Sequence, residues 1–150
     1  MRMLMICALM VPFSLIAQTK TKVVTKSPVQ KTKTVAKGST ASAADRGKNI
    51  YQLYCLVCHQ ADGGGVGTLN PPFLKEWVAG DKSRLVRLLL KGSAGKVTLD
   101  GDTFSNTMPP QPTFTDQQIA DVLSFIRSNF GFKASAVTVA EVKSIRAKTK

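Results

Sequence analysis

Cys55-Leu56-Val57-Cys58-His59 is the stretch on which the reading of this 150-residue chain turns. Two thiols stand one helical turn apart, and an imidazole follows the second at once. Upstream, Ile50, Tyr51, Leu53 and Tyr54 recur at roughly helical spacing after Ser42-Ala43-Ala44-Asp45, a Ser-x-x-Asp helix start, so the motif falls at the end of a helix. Three chemistries use thiols in this way. A structural zinc site needs four protein ligands, and the chain offers no second pair of cysteines or histidines to complete one. A thiol redox pair of the thioredoxin kind follows a strand in a βαβ setting, and little of this sequence reads as strand. The third is covalent haem attachment, for which C-x-x-C-H is the pattern. Each thiol reaches one side of a porphyrin edge, and the next residue brings its imidazole beneath the iron. The spacing favours this third chemistry.

A closed iron site needs a sixth ligand. His59 is the single histidine, and four of the five methionines lie in the first ten residues, which leaves Met108. A lone methionine is commonly a filler of the core. Here it sits in Asn106-Thr107-Met108-Pro109-Pro110, where two prolines fix the backbone and remove two donors, a setting suited to presenting a thioether. Asp62-Gly63-Gly64-Gly65-Val66-Gly67 follows no strand and opens no evident helix, so it is not read as a phosphate loop; its glycines let the chain turn tightly.

Further helices are predicted downstream. One is short, around Leu74 to Ala79. Another runs from about Lys82 to Lys91, with Leu85, Val86, Leu88 and Leu89 as its stripe and Gly92 as its stop. The clearest begins at the capping box Thr115-Asp116-Gln117-Gln118, carries Ile119, Val122, Leu123 and Ile126 on one face and ends by Gly131. A final turn or short helix is expected from Thr138, with Glu141 three residues on. Between the helix ending at Lys91 and the one starting at Thr115 lies a loop with Gly95, Gly101 and Met108, without a long alternating run that would demand a sheet. The core is small enough to need a staple such as a bound cofactor.

The first 17 residues place Arg2 before an apolar run that ends at small residues, the layout of a signal peptide. The run is shorter than the roughly 20 residues of a spanning helix, so anchoring by an uncleaved leader is the lesser reading. Cys7 falls within this leader. Residues 18–43 hold Lys20, Lys22, Lys26, Lys31, Lys33 and Lys37 in a Thr- and Val-rich background and read as a basic flexible linker. The net charge of +12 therefore misleads. From Asp45 to Arg127 nine basic residues face eight acidic ones, and the excess sits in the linker and in a basic C-terminal extension, 133–150. Both tails read as solvated tethers, with membrane-surface association through the linker as the alternative. Nucleic-acid binding is not expected, because no aromatics interleave with the lysines.

Gly47-x-x-x-Tyr51 ahead of Cys55-x-x-Cys58-His59, then Pro71-Pro72-Phe73, Met108-Pro109-Pro110 and the helix Asp116 to Phe130 together resemble the class I c-type cytochromes. The resemblance covers roughly 44–132, and the part to about Arg146 is similar to extensions of some bacterial members. It implies an all-α, small class I cytochrome c fold with helices packed around one covalently attached haem c. Cys55 and Cys58 would carry the haem, and His59 and Met108 would hold its iron. By the same likeness Gly47 lets Phe125 or Ile126 approach Tyr51, and the Pro72 carbonyl accepts from the other imidazole nitrogen of His59. Trp77 and Arg84 would bond the haem propionates.

His and Met fill both axial positions and favour the reduced iron, so the implied function is one-electron transfer rather than catalysis. The donor would be a dehydrogenase or membrane respiratory complex, and the acceptor an oxidase or reductase. Two alternatives stand beside a free carrier. One is a dedicated electron-accepting cytochrome subunit of a dehydrogenase complex. The other is a haem-based enzyme or gas sensor with Met108 displaced. Haem attachment of this kind and the leader both imply a periplasmic, exported protein.

Overall fold

The computed structural model describes residues 41–149. The expected leader and nearly all of the linker lie outside them. Helix α1 (Ala43–Tyr54) opens on Ser42, whose hydroxyl accepts from the Asp45 N–H at 3.2 Å, and Cys55 closes it. Helix α2 (Leu56–His59) continues the same path and ends at Gln60, whose φ of 61° turns the chain sharply away. A non-glycine residue there costs on the order of 1 kcal/mol or more. The Tyr51 hydroxyl offsets this by donating to the Gln60 carbonyl at 2.5 Å.

Helix α5 (Asp116–Ser128) crosses α1 and makes with it the main helix pair. Both halves of its capping box form, Thr115 with the Gln118 N–H and Gln118 with the Thr115 N–H. The crossing is possible because of Gly47. A Cβ there would stand 2.2 Å from the Asp121 carbonyl oxygen and 2.8 Å from the Phe125 Cβ, so the residue that approaches is Phe125. Its ring lies 5.6 Å from that of Tyr51. Arg46 locks the pair by donating twice to the buried Asp121 carboxylate, at 2.7 and 3.0 Å.

Helix α3 (Lys75–Val78) is one turn, and helix α4 (Lys82–Lys91) buries Leu85, Val86, Leu89 and Leu90. The core joins these to Ile50 and Tyr51 of α1 and to Ile119, Val122, Leu123 and Ile126 of α5. One departure from the sequence reading is a small antiparallel hairpin, β1 (Val97–Leu99) with β2 (Asp102–Phe104), turning at Asp100 and Gly101 with positive φ. Three residues a strand are too few for an alternating pattern to show. The fold is otherwise helical, as expected.

A second departure concerns the C-terminal extension, which is no free tail. Helix α6 (Val139–Ala147) buries Val142 completely and packs against α4 and α5. Val137 is buried too, and its N–H and carbonyl both bond the Ser124 hydroxyl. Arg127, 2% exposed, donates to the Ser135 carbonyl at 2.7 Å and to the carbonyls of Val78, Ala79 and Gly80 at the end of α3. A basic residue in the last turn of a helix thus anchors the extension and α3 together.

Glu141 fixes the start of α6. The Thr138 N–H, the Lys82 ammonium at 2.9 Å and the Thr138 hydroxyl hold its carboxyl down from 4.5 to about 2. Because the folded value is the lower, this stabilisation is complete above 4.5 and fades as the pH falls through about 2. The side chain is 40% exposed, so the ion pair is screened and the cap is the larger part. Glu141→Ala is therefore expected to cost about 1 kcal/mol at neutral pH, a difference that disappears in melts taken near the low end of that window.

Candidate functional site

The end of α1, α2, the Pro71-Pro72-Phe73 segment, α3, α4, β1 and the Met108 loop enclose a cavity of about 290 Å³. Its wall is mostly aliphatic and aromatic. It holds Cys55, Cys58 and His59 together with Met108, and Pro71, Pro72, Phe73, Trp77 and Leu88 also face it. None of the lining residues is Asp, Glu, Lys or Arg. Residues 49 positions apart in sequence, His59 and Met108, thus reach one cavity because α1 and α4 both lean on α5.

The local geometry fixes the histidine side. Its ring stacks on Phe73, with centroids 4.6 Å apart and planes at 19°. Phe73 in turn meets Tyr51 and Phe130 at 6.2 and 5.3 Å. Burial lowers the pKa of His59, so the imidazole is neutral and able to bind a metal. Its Nδ1 is buried and bonds nothing among the described residues, and the expected hydrogen bond to the Pro72 carbonyl is not made here.

Cys55 is pushed up to about 11, by burial first and then by Cys58. A reactive redox thiol is instead activated by a lowered pKa. The geometry does not suit zinc. Among the described residues no group of three or more His, Cys, Asp or Glu side chains is placed to hold a metal ion.

The methionine side is pinned by backbone contacts. The Ser93 N–H donates to the Met108 carbonyl at 2.9 Å, and the Gln111 N–H to that of Leu89 at 2.7 Å. Gly92, at φ 69°, lets the two segments meet, since a Cβ there would be 2.3 Å from the Met108 oxygen. The stop residue expected for α4 thus also seats the loop.

Trp77 and Arg84 lie together. The guanidinium carbon stands 3.9 Å from the indole centroid, and Nη2 donates to the Glu76 carbonyl at 3.0 Å. Trp77 faces the cavity whereas Arg84 does not, and the Arg84 Nε is buried without a partner among the described residues. The sequence reading missed Tyr54, Leu85 and Val97 as wall residues and assigned no role to Tyr51 beyond packing. A tyrosine four residues before the first cysteine was the available signal.

The cavity has the donor set for a covalently held porphyrin. It offers two thiols, an imidazole and a thioether on a largely apolar wall, and the His59 Nδ1 is buried without a partner among the described residues.

Comparison with known proteins agrees. The family model for cytochrome c matches residues 44–130. Cytochrome c-552 of Thermus thermophilus is 32% identical over 123 residues, which cover 74% of this chain and 81% of that protein. The cytochrome c subunit of the quinone alcohol dehydrogenase of Gluconacetobacter polyoxogenes is 34% identical over 75% of this chain. The gluconate 2-dehydrogenase cytochrome c subunit of Pantoea cypripedii is 34% identical over 67% of this chain. The match spans about a quarter of the length of each of these two dehydrogenase subunits.

Proposed function

We propose that this chain, which belongs to the cytochrome c family, is a single-haem carrier that passes electrons one at a time between redox proteins outside the cytoplasm. Haem c, covalently bound, is the cofactor of the family and supplies the one-electron couple. The observation that carries the reading is one largely apolar cavity shared by the cysteine pair, the chain's one histidine and Met108.

In this reading Cys55 and Cys58 would hold the haem, and His59 and Met108 would supply its iron with an imidazole and a thioether. The unpartnered Nδ1 of His59 suits a bond to the Pro72 carbonyl on the same wall. The buried, unpartnered Nε of Arg84 beside Trp77 suits a propionate. With both ligands supplied by the protein, such a site would change charge without binding substrate, which is the property a carrier needs. A wall without Asp, Glu, Lys or Arg places few reorienting charges around the site, which suits a centre that changes charge by one electron.

Electron exchange is assigned to the face around the end of α1. Leu53, two residues before the cysteine pair, and Val57, within it, are 73% and 82% exposed. Residues 49–61, 63–74 and 103–115, which surround the cavity, contain no Asp, Glu, Lys or Arg. Contacts there would be small and transient. Two of the similar proteins are named as dehydrogenase subunits, which supports a dehydrogenase as donor and, as a second reading, permanent membership of such a complex. Co-purification after gentle extraction separates the two.

The test is an optical spectrum of the exported, matured protein, oxidised and reduced, with its mass under denaturing conditions. The expected result is a low-spin haem spectrum and a polypeptide heavier by one haem. A colourless protein with the mass of bare polypeptide would remove the proposal. No helix among the described residues is long and apolar enough to cross a membrane. Export is inferred from the leader-like first residues, and signal processing is read from the same mass.

A further inference from the structure

The C-terminal extension reaches the segment that follows Met108 through one side chain. Arg146, in the last turn of α6, makes three contacts. Its Nε donates to the Asp116 carboxylate at 2.6 Å, its Nη1 to the Pro112 carbonyl at 3.3 Å and its Nη2 to the Phe114 carbonyl at 2.5 Å. Pro112 and Phe114 lie four and six residues beyond Met108 on the same loop. The Phe114 ring is buried and meets Tyr54 edge-on at 4.9 Å, and Tyr54 is itself on the cavity wall.

The loop is therefore held at two ends by different parts of the chain. Ser93 and Leu89 pin its first half, through Met108 and Gln111, and Arg146 pins its second half. Asp116 lies at the start of α5 and orients the guanidinium fork toward both carbonyls. Charge-assisted bonds of this kind are about twice as strong as neutral ones and hold a planar geometry. The site is only partly exposed, with Arg146 at 32% and Asp116 at 27%, so solvent competes incompletely.

We propose that Arg146 is a positioning residue for the sixth ligand: the extension is a strap that, through Pro112 and Phe114, biases the Met108 loop toward the closed state in which the thioether faces His59. The inference rests on Met108 being that ligand. A strap of this kind sets how readily an outside molecule displaces the thioether, and so how closed the carrier stays. The α6 helix then has two separable functions. Its start, at Thr138 and Glu141, docks it to α4 through Lys82, and its end governs the methionine loop.

The test uses the matured, full-length haem protein and imidazole as the displacing probe. Arg146→Ala is expected to raise the affinity of the oxidised protein for imidazole about tenfold, as expected when a charge-assisted bond no longer favours the closed loop. It should also weaken the methionine-to-iron absorption band and lower the reduction potential. Glu141→Ala, which loosens the other end of the same helix, should reduce melting temperature while leaving imidazole affinity and potential unchanged. Equal effects of the two variants on imidazole affinity, or none from Arg146→Ala, would overturn the positioning role. If Met108→Ala itself leaves imidazole affinity unchanged, the ligand assignment falls, and with it the premise.

Discussion

Met108→Ala is expected to leave the haem attached, lower the reduction potential by a few tenths of a volt, and open the iron to small ligands. In the proposed reading covalent attachment belongs to Cys55 and Cys58 and not to Met108, so the denatured protein should still carry one haem, its mass lower than wild type only by the Met-to-Ala difference. The potential should fall because a thioether stabilises the reduced iron, and axial ligands set potentials over a span of roughly 0.8 V. The backbone of the loop should persist, since Ser93 bonds the Met108 carbonyl and amide rather than its side chain. Carbon monoxide added to the reduced protein at neutral pH gives the second measurement. Wild type should not bind it and the variant should. Binding by wild type would favour a sensor or enzyme, and an unchanged potential in the variant would exclude Met108 as ligand.

The logic of that experiment was available from the sequence, because elimination needs only a count of ligand-capable residues. So were the elements that start on a local signal. Ser42, Thr115 and Thr138 each cap a helix through a side chain three residues from its partner, which is a spacing legible in one dimension. The helix start at Thr138 was foreseen, but not the burial of α6 itself. Val142 becomes fully buried only because α4 and α5 present a face to it, and nothing in a nine-residue segment of mixed polarity announces that.

Arg127 shows the limit most clearly. Read alone, it is a basic residue ending a helix. Its burial depends on carbonyls at 78 to 80 and at 135, supplied by segments that the sequence does not bring together. The hairpin at 97–104 escaped for a different reason, being too short to carry a period. Arg84 stacks on Trp77, which faces the cavity, a pairing across seven residues that the sequence does not announce. What the sequence shows best is chemistry held in adjacent residues, and what it shows least is polar groups whose partners are distant carbonyls.

Replacing both Cys55 and Cys58 by alanine should have the largest effect of all, because it removes the cofactor and with it much of the stability. A cavity of about 290 Å³ bounded by Leu85, Leu88, Leu89, Leu123 and Ile126 must be filled for these side chains to keep their packing partners. A whole domain is stable by only about 5–15 kcal/mol, so losing the packing that these side chains make against the cofactor is a large change on that scale. The α1–α5 crossing is held by Gly47 and the Arg46–Asp121 pair, none of which lines the cavity, and it is the part best able to persist. The double variant is therefore expected to carry no haem after denaturation and to have lost the sharp thermal transition of the matured protein, with residual helix from α1 and α5. Either single variant should mature in reduced yield. Haem that stays with the polypeptide through denaturation in the double variant would show that attachment lies elsewhere. A cooperative, haem-free fold of unchanged melting temperature would show instead that the cavity collapses at little cost, and that the cofactor is carried by the fold rather than completing it.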